Sequence, residues 1–288
     1  MEMSDFSLVS IITPIYNGAE YLEELIQSVI LQDYPNIEHL VIDDGSQDDG
    51  ATVAILNKYS HLRWWSRENK GQYATMNEGL LTAKGEVVCF VSADDIVSPG
   101  GVSSAIEFLN RFPNINGVFG LTNYIGKDGS HYPYPLPFRK APLAFYPYFA
   151  HISHCSLYVS RLSLLENGLF FNPSFRYAGD YDWMVRIHKK HLQIGVIDRE
   201  LSLVRVHENQ ASQMYFNASK IEISRVLNAQ HVNRVFYFLL SSFYFLRVRI
   251  WKIVQAFRYD GIRGIIELYS RYRQHRRKLS NEDKKMGG

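Results

Sequence analysis

Asp94 and Asp95 stand side by side just beyond an apolar run, Val87 to Val91. Adjacent carboxylates repel, and each raises the other's pKa unless a cation neutralises both. A hard divalent ion shared with substrate phosphates resolves that conflict and supplies chemistry as well. The plain alternative is a helix cap, because Asp is favoured at helix starts and Ser98-Pro99 follows. A second pair, Asp43-Asp44, ends another apolar run that begins at Ile37. Two separate runs ending in paired carboxylates tilt the reading towards function.

These residues need a scaffold, and the first half of the chain supplies an alternating pattern. Leu8 to Thr13 is continuously apolar and β-branched, as expected of a strand buried on both faces. Tyr21 to Gln32 places Leu22, Leu25, Ile26, Val29 and Ile30 on one helical face. Further strands are expected at Ile37–Asp43, Leu62–Ser66 and Val87–Val91, with helices at Gln72–Ala83 and after Ser98, the latter capped by Ser98. That order implies an α/β fold, a mostly parallel sheet with helices on both faces, whose ligands sit beyond the carboxyl ends of the strands. Both carboxylate pairs fall at that edge. Later strands are expected at Val118–Tyr124, His154–Val159, Ile194–Ile197 and Leu201–Val206, with a helix at Gly179–Lys190 and an irregular loop at Tyr132–Pro147.

Absences narrow the chemistry. No glycine-rich dinucleotide fingerprint follows the first strand, and neither a P-loop nor a nucleophile elbow occurs. A parallel sheet holding phosphates without a glycine loop depends on a metal instead. The two cysteines, Cys89 and Cys155, sit in apolar contexts without disulfide or metal-knuckle spacing, so buried thiols in a reducing cytoplasm are expected. Neither a secretion signal nor an uninterrupted apolar run of ~18 residues is seen, which argues against a membrane-spanning helix.

Ser10-Ile11-Ile12-Thr13-Pro14-Ile15-Tyr16-Asn17, Gln27-Ser28-Val29, Leu40 to Ser46, Asn77-Glu78-Gly79, Gly85-Glu86-Val87 and Ser92-Ala93-Asp94-Asp95 resemble, in order, the motifs of family 2 glycosyltransferases. The resemblance continues through Arg176 to Asp182 and on to about Ser212. It implies a GT-A fold and inverting transfer of a sugar from a nucleoside diphosphate, UDP being expected first, to a hydroxyl of a glycan or lipid-linked saccharide in cell-surface polysaccharide synthesis. Thr13, Pro14 and Tyr16 would hold the nucleobase, Asp44 the base or ribose, and Asp94 the ribose or a shared metal contact. Asp95 would hold the divalent metal, Mn or Mg, with His207 as a further ligand. Many relatives carry an acidic residue where this chain has Ser92, so the metal grip is expected to be thin. Asp180 resembles the base that takes the acceptor hydroxyl's proton, while Asp182 and His154 would contact the acceptor or support the site. A sugar nucleotidyltransferase is the first alternative, though Thr13 to Asn17 lacks its glycine, arginine and lysine; a non-catalytic binding protein on the same fold is the second.

The C-terminal end is distinct. From Arg247 to Lys278 ten basic residues face two acidic ones, following the aromatic run Val235 to Leu246. The expected division is residues 1–212 for nucleotide-sugar binding and catalysis, and residues 213–288 for a basic, amphipathic helical extension. That extension packs on the catalytic domain or on a second subunit, or lies on the inner face of a membrane. Nucleic acid is not an expected partner, because apolar residues interleave the basic ones and no recognition motif occurs.

Overall fold

The computed structural model describes residues 7–131 and 153–208, residue 210, residues 215–243 and a discontinuous set of helical positions between 246 and 270. The expected loop at Tyr132–Pro147 lies outside the described residues. β1 (Val9–Ile15) is buried at every position, as an apolar β-branched run must be between two helical layers. α1 (Ala19–Ile30) buries Tyr21, Leu22, Leu25, Ile26 and Val29 against the sheet. The chain continues through β2 (Ile37–Asp43), α2 (Ala51–Leu56), β3 (Arg63–Ser66), α3 (Gln72–Thr82), β4 (Val87–Phe90), β5 (Ile96–Val97), α4 (Gly101–Arg111) and β6 (Gly117–Gly126). A 3-10 turn at His154–Ser156 leads into β7 (Leu157–Ser160), and α5 (Arg161–Glu166), α6 (Gly179–Lys189), β8 (Ile194–Val206) and α7 (Phe216–Ala229) follow.

The sheet runs β3-β2-β1-β4-β7-β6-β8-β5. β1 to β4 are mutually parallel, β7 is antiparallel to both its neighbours, β8 is parallel to β6, and β5 is antiparallel to β8. β2 and β4 flank β1, so the ends of β1, β2 and β4 share one edge, where the order of strands reverses. Three local expectations differ, the first being that His154–Ser156, expected to open a strand, forms the 3-10 turn that precedes β7. Ser98 does not cap a helix: β5 pairs with β8 and Ser98 N–H donates to Leu201 O at 3.1 Å, which postpones α4 until after Gly100 in a left-handed turn. The two short strands expected at 194–206 are one strand of 13 residues, its register against β6 shifted around Leu121.

An aromatic nucleus anchors α6. Trp183 is wholly buried, stacks on Phe171 at 4.4 Å, meets Phe90 edge-on at 5.6 Å, and donates its indole N–H to Leu169 O at 2.7 Å. Each such side chain contributes about 1.5–3 kcal/mol of burial. α7 belongs to the same core: Val226 and Leu227 are buried in it. Glu222 of α7 accepts the backbone N–H groups of Arg176, Tyr177 and Ala178 at 2.9, 2.7 and 2.9 Å. The boundary expected at residue 212 therefore falls before a helix that holds the start of α6 in place.

Candidate functional site

The turn between β4 and β5 presents the first carboxylate pair, and its two members face opposite ways. Asp95 points inward and is 4% exposed. Its Oδ1 accepts the Arg205 N–H at 3.0 Å and its Oδ2 accepts the Cys155 thiol at 3.0 Å. Burial first, then Cys155 and Asp94, hold its carboxyl well above the usual range. Asp94 keeps its carboxylate at the surface of the site, where Oδ2 lies 3.0 Å from His207 Nε2. His207 Nδ1 is buried without a hydrogen-bond partner. The expectation that Asp95 is the metal residue is thus reversed in geometry: both its oxygens are committed inside the protein, and Asp94 is the member paired with His207. Among the described residues, no three His, Cys, Asp or Glu side chains converge as a full ligand set.

Asp180 stands in the first turn of α6. Its Oδ1 accepts the Tyr181 N–H at 2.8 Å and the Tyr73 hydroxyl at 3.4 Å, while its Oδ2 lies 3.7 Å from His154 Nδ1. His154 is buried, which disfavours its charge, but Cys155 and Asp180 beside it outweigh that and push its pKa up to about 10. For the Cys155 thiol, burial acts upward and His154 more than offsets it, bringing it down to about 7. Asp180, His154, Cys155 and Asp95 thereby form one connected line of ionisable groups. Asp182 does not join it. Its carboxylate is 2% exposed and enclosed by Arg186 Nε at 2.8 Å and Gln230 Nε2 at 2.9 Å, so it ties α6 to α7 and leaves no oxygen for an acceptor.

The expected nucleotide residues gather at the ends of β1 and β2. Tyr16 is 47% exposed at the tip of β1. Thr13 turns its hydroxyl into the sheet, 3.1 Å from His39 Nε2, and Pro14 is buried in the strand, so neither side chain reaches the edge. Asp44 pairs with Arg67 and accepts the N–H groups of Lys70 and Gly71 at 2.8 and 2.9 Å, which orders the loop between β3 and α3. Asn17 and Ser46 tie the two loops together, Asn17 N–H donating to Ser46 Oγ at 2.8 Å.

Arg205 and Cys155 were not singled out as site residues by the sequence. One signal existed for Arg205: strand alternation puts it on the face of the buried Leu201 and Leu203, where a charge needs partners. For Cys155, read as an ordinary buried thiol, none existed. It is buried and free as expected, but its partner is a carboxylate of the site.

Comparison with known proteins places these features. An uncharacterized glycosyltransferase of Rickettsia felis is 33% identical over 221 residues, which cover 73% of this chain and 36% of that protein. The chain therefore spans about a third of that relative's length. Among solved structures, S. aureus TarS in complex with UDP superposes with a TM-score of 0.59 at 23% identity, covering 78% of this chain and 66% of that one. A mannosyltransferase of Pyrobaculum calidifontis in complex with GDP-Man and Mn²⁺ gives a TM-score of 0.53 at 18% identity, covering 91% and 86%. These likenesses are of fold, the GT-A arrangement of a mostly parallel sheet flanked by helices. The sequence model of glycosyl transferase family 2 matches residues 10–168, from β1 through the Asp94-Asp95 turn to the end of α5, and the chain belongs to that family.

Proposed function

We propose that the protein transfers a sugar, with inversion, from a nucleoside diphosphate to a hydroxyl of a glycan or lipid-linked saccharide in cell-surface polysaccharide synthesis. The observation that carries this reading is the placement of Asp180 on one connected site with the outward Asp94–His207 pair. Asp180 is the base that takes the acceptor proton; the Tyr181 N–H on Oδ1 and His154 beside Oδ2 hold the carboxylate in place. Tyr16 offers a ring to the nucleobase, and Asp44 orders the loop that completes that end of the site. The nucleotides bound in the two solved structures, UDP and GDP-Man, support a nucleoside-diphosphate donor, with UDP favoured here.

Asp94 Oδ2 and His207 Nε2, a carboxylate oxygen and an imidazole nitrogen 3.0 Å apart, fit a divalent cation, Mn or Mg, as two of its ligands. Bound there, such an ion would neutralise charge on the departing diphosphate. The Mn²⁺ in the Pyrobaculum enzyme supports the same reading.

The acceptor end belongs at a membrane surface. Among the described residues no helix is long and apolar enough to cross one. Val235, Leu239, Phe243, Leu246, Ile250 and Phe257 recur at helical spacing and are each more than half exposed. Arg247 and Arg258 border that stripe on one side and Arg249 on the other, the layout of a helix lying in an anionic interface.

Calorimetry with UDP, GDP and dTDP, with and without Mn²⁺, tests the donor side. Metal-dependent binding of at least one is expected, and its absence for all three overturns the metal-assisted reading. Asp180→Asn is expected to keep donor binding while turnover falls about 10²–10⁴-fold; unchanged turnover removes Asp180 as the base.

A further inference from the structure

Arg205 is wholly buried, and each of its nitrogens donates to a group that shapes the site. Its Nε donates to the Asp94 carbonyl at 3.0 Å and its backbone N–H to Asp95 Oδ1 at 3.0 Å. Nη1 holds the carbonyls of Gly126 and Lys127 at 3.2 and 3.3 Å, and Nη2 reaches Glu24 Oε2 at 2.7 Å. The guanidinium lies 4.4 Å above the Tyr21 ring. Tyr21 in turn packs against the His207 ring at 5.1 Å, and His207 closes the circuit on Asp94. The path therefore runs Arg205, Tyr21, His207, Asp94 and back to Arg205, with α1, the carboxylate turn and the end of β8 as its walls.

We infer that Arg205 and Tyr21 are positioning residues that set the Asp94–His207 pair at the spacing a divalent cation requires. The inference rests on the assignment of that pair to the ion. Stability alone is a poor reason for the arrangement, since a buried ion pair is often matched by apolar residues of similar volume. Glu24 is moreover 52% exposed, so this is not a sealed pair. What apolar residues could not do is grip the Asp94 carbonyl, carry the turn after β6 and lay a flat cation on Tyr21 at once. A planar five-donor fork does all three, and a lysine ammonium does not.

The test uses Arg205→Lys, Tyr21→Leu and Tyr21→Phe in the full chain. Mn²⁺ affinity is read by electron paramagnetic resonance, the His207 ring tautomer by ¹⁵N NMR, and folding by thermal melting. Arg205→Lys and Tyr21→Leu are expected to weaken Mn²⁺ binding about 10–100-fold, the usual cost of losing support behind a ligand. Both should also move the His207 Nε2 resonance, while Tyr21→Phe, which keeps the ring, retains Mn²⁺ binding. Arg205→Lys should raise the Mn²⁺ concentration needed for turnover more than it lowers kcat at saturating Mn²⁺. Melting temperatures that fall with Mn²⁺ affinity and the His207 resonance unchanged would reduce both residues to structural ones. If Arg205→Lys does not fold, the Tyr21 pair decides the matter alone. If the wild type binds no Mn²⁺, the metal assignment fails, and the His207 resonance still shows whether Arg205 and Tyr21 set the pair.

Discussion

Asp94 and Asp95 are chain neighbours with opposite environments, and their substitutions should separate accordingly. Asp94→Asn removes the charge facing His207 and is expected to weaken Mn²⁺ binding by at least the ~10–100-fold that supporting residues cost. Asp95→Asn keeps the shape but gives the Arg205 N–H and the Cys155 thiol an amide to pair with, at about 1–3 kcal/mol of stability. Urea denaturation beside Mn²⁺ titration of both variants checks the split. His39 makes a second prediction at this scale. It is buried beside Thr13, and burial, with His61 as a smaller influence, pushes its pKa down to about 3. The ring is neutral when folded and binds its proton readily when unfolded, so its contribution is complete above pH ~6.5 and is lost as pH falls towards 3. The expected slope there is up to about 1.4 kcal/mol per pH unit. In His39→Gln, stability measured between pH 4 and 7 should lose that part of its slope.

At the scale of elements, α7 is what holds the start of α6. Glu222 gathers three consecutive backbone N–H groups that lie just before Asp180, and Gln230 fastens Asp182 two positions beyond it. Glu222→Ala strands those donors, of which only the Ala178 N–H is fully buried, so the loss should be about 1–3 kcal/mol, the cost of one unpaired buried group. Urea denaturation measures it, and kcat should fall as well, because the displaced turn carries Asp180. Most elements were legible in advance: the apolar runs of β1, β2 and β4 and the amphipathic face of α1 are local patterns. Ser98 was misread because a good cap sequence lost to a strand pairing with β8, a contact that local pattern does not record.

For the whole molecule, the exposed stripe from Val235 to Phe257 bears on where the reaction takes place. The full chain is expected to sediment with anionic phosphatidylglycerol vesicles at low salt and to be released as salt rises, since basic side chains near such a surface contribute about 1 kcal/mol each within a Debye length. Phe243→Glu with Leu246→Glu should abolish sedimentation and leave donor binding intact. Sedimentation unchanged by these substitutions would remove the stripe as the contact, and self-association recorded by light scattering would assign it to a second copy instead.

What the sequence determined by itself was the order of strands and helices, the placement of the carboxylate pairs at the carboxyl ends of β2 and β4, and the resemblance to the family that the match over residues 10–168 then showed. Those are properties of short segments, written in apolar periodicity and contiguous motifs. Which carboxylate turns outward was decided only by tertiary structure. Asp95 meets Arg205 across 110 positions and Asp94 meets His207 across 113, while Cys155 reaches Asp95 across 60. A carboxylate takes the direction in which its partners lie, and here those partners arrive from β8 and from the turn before β7.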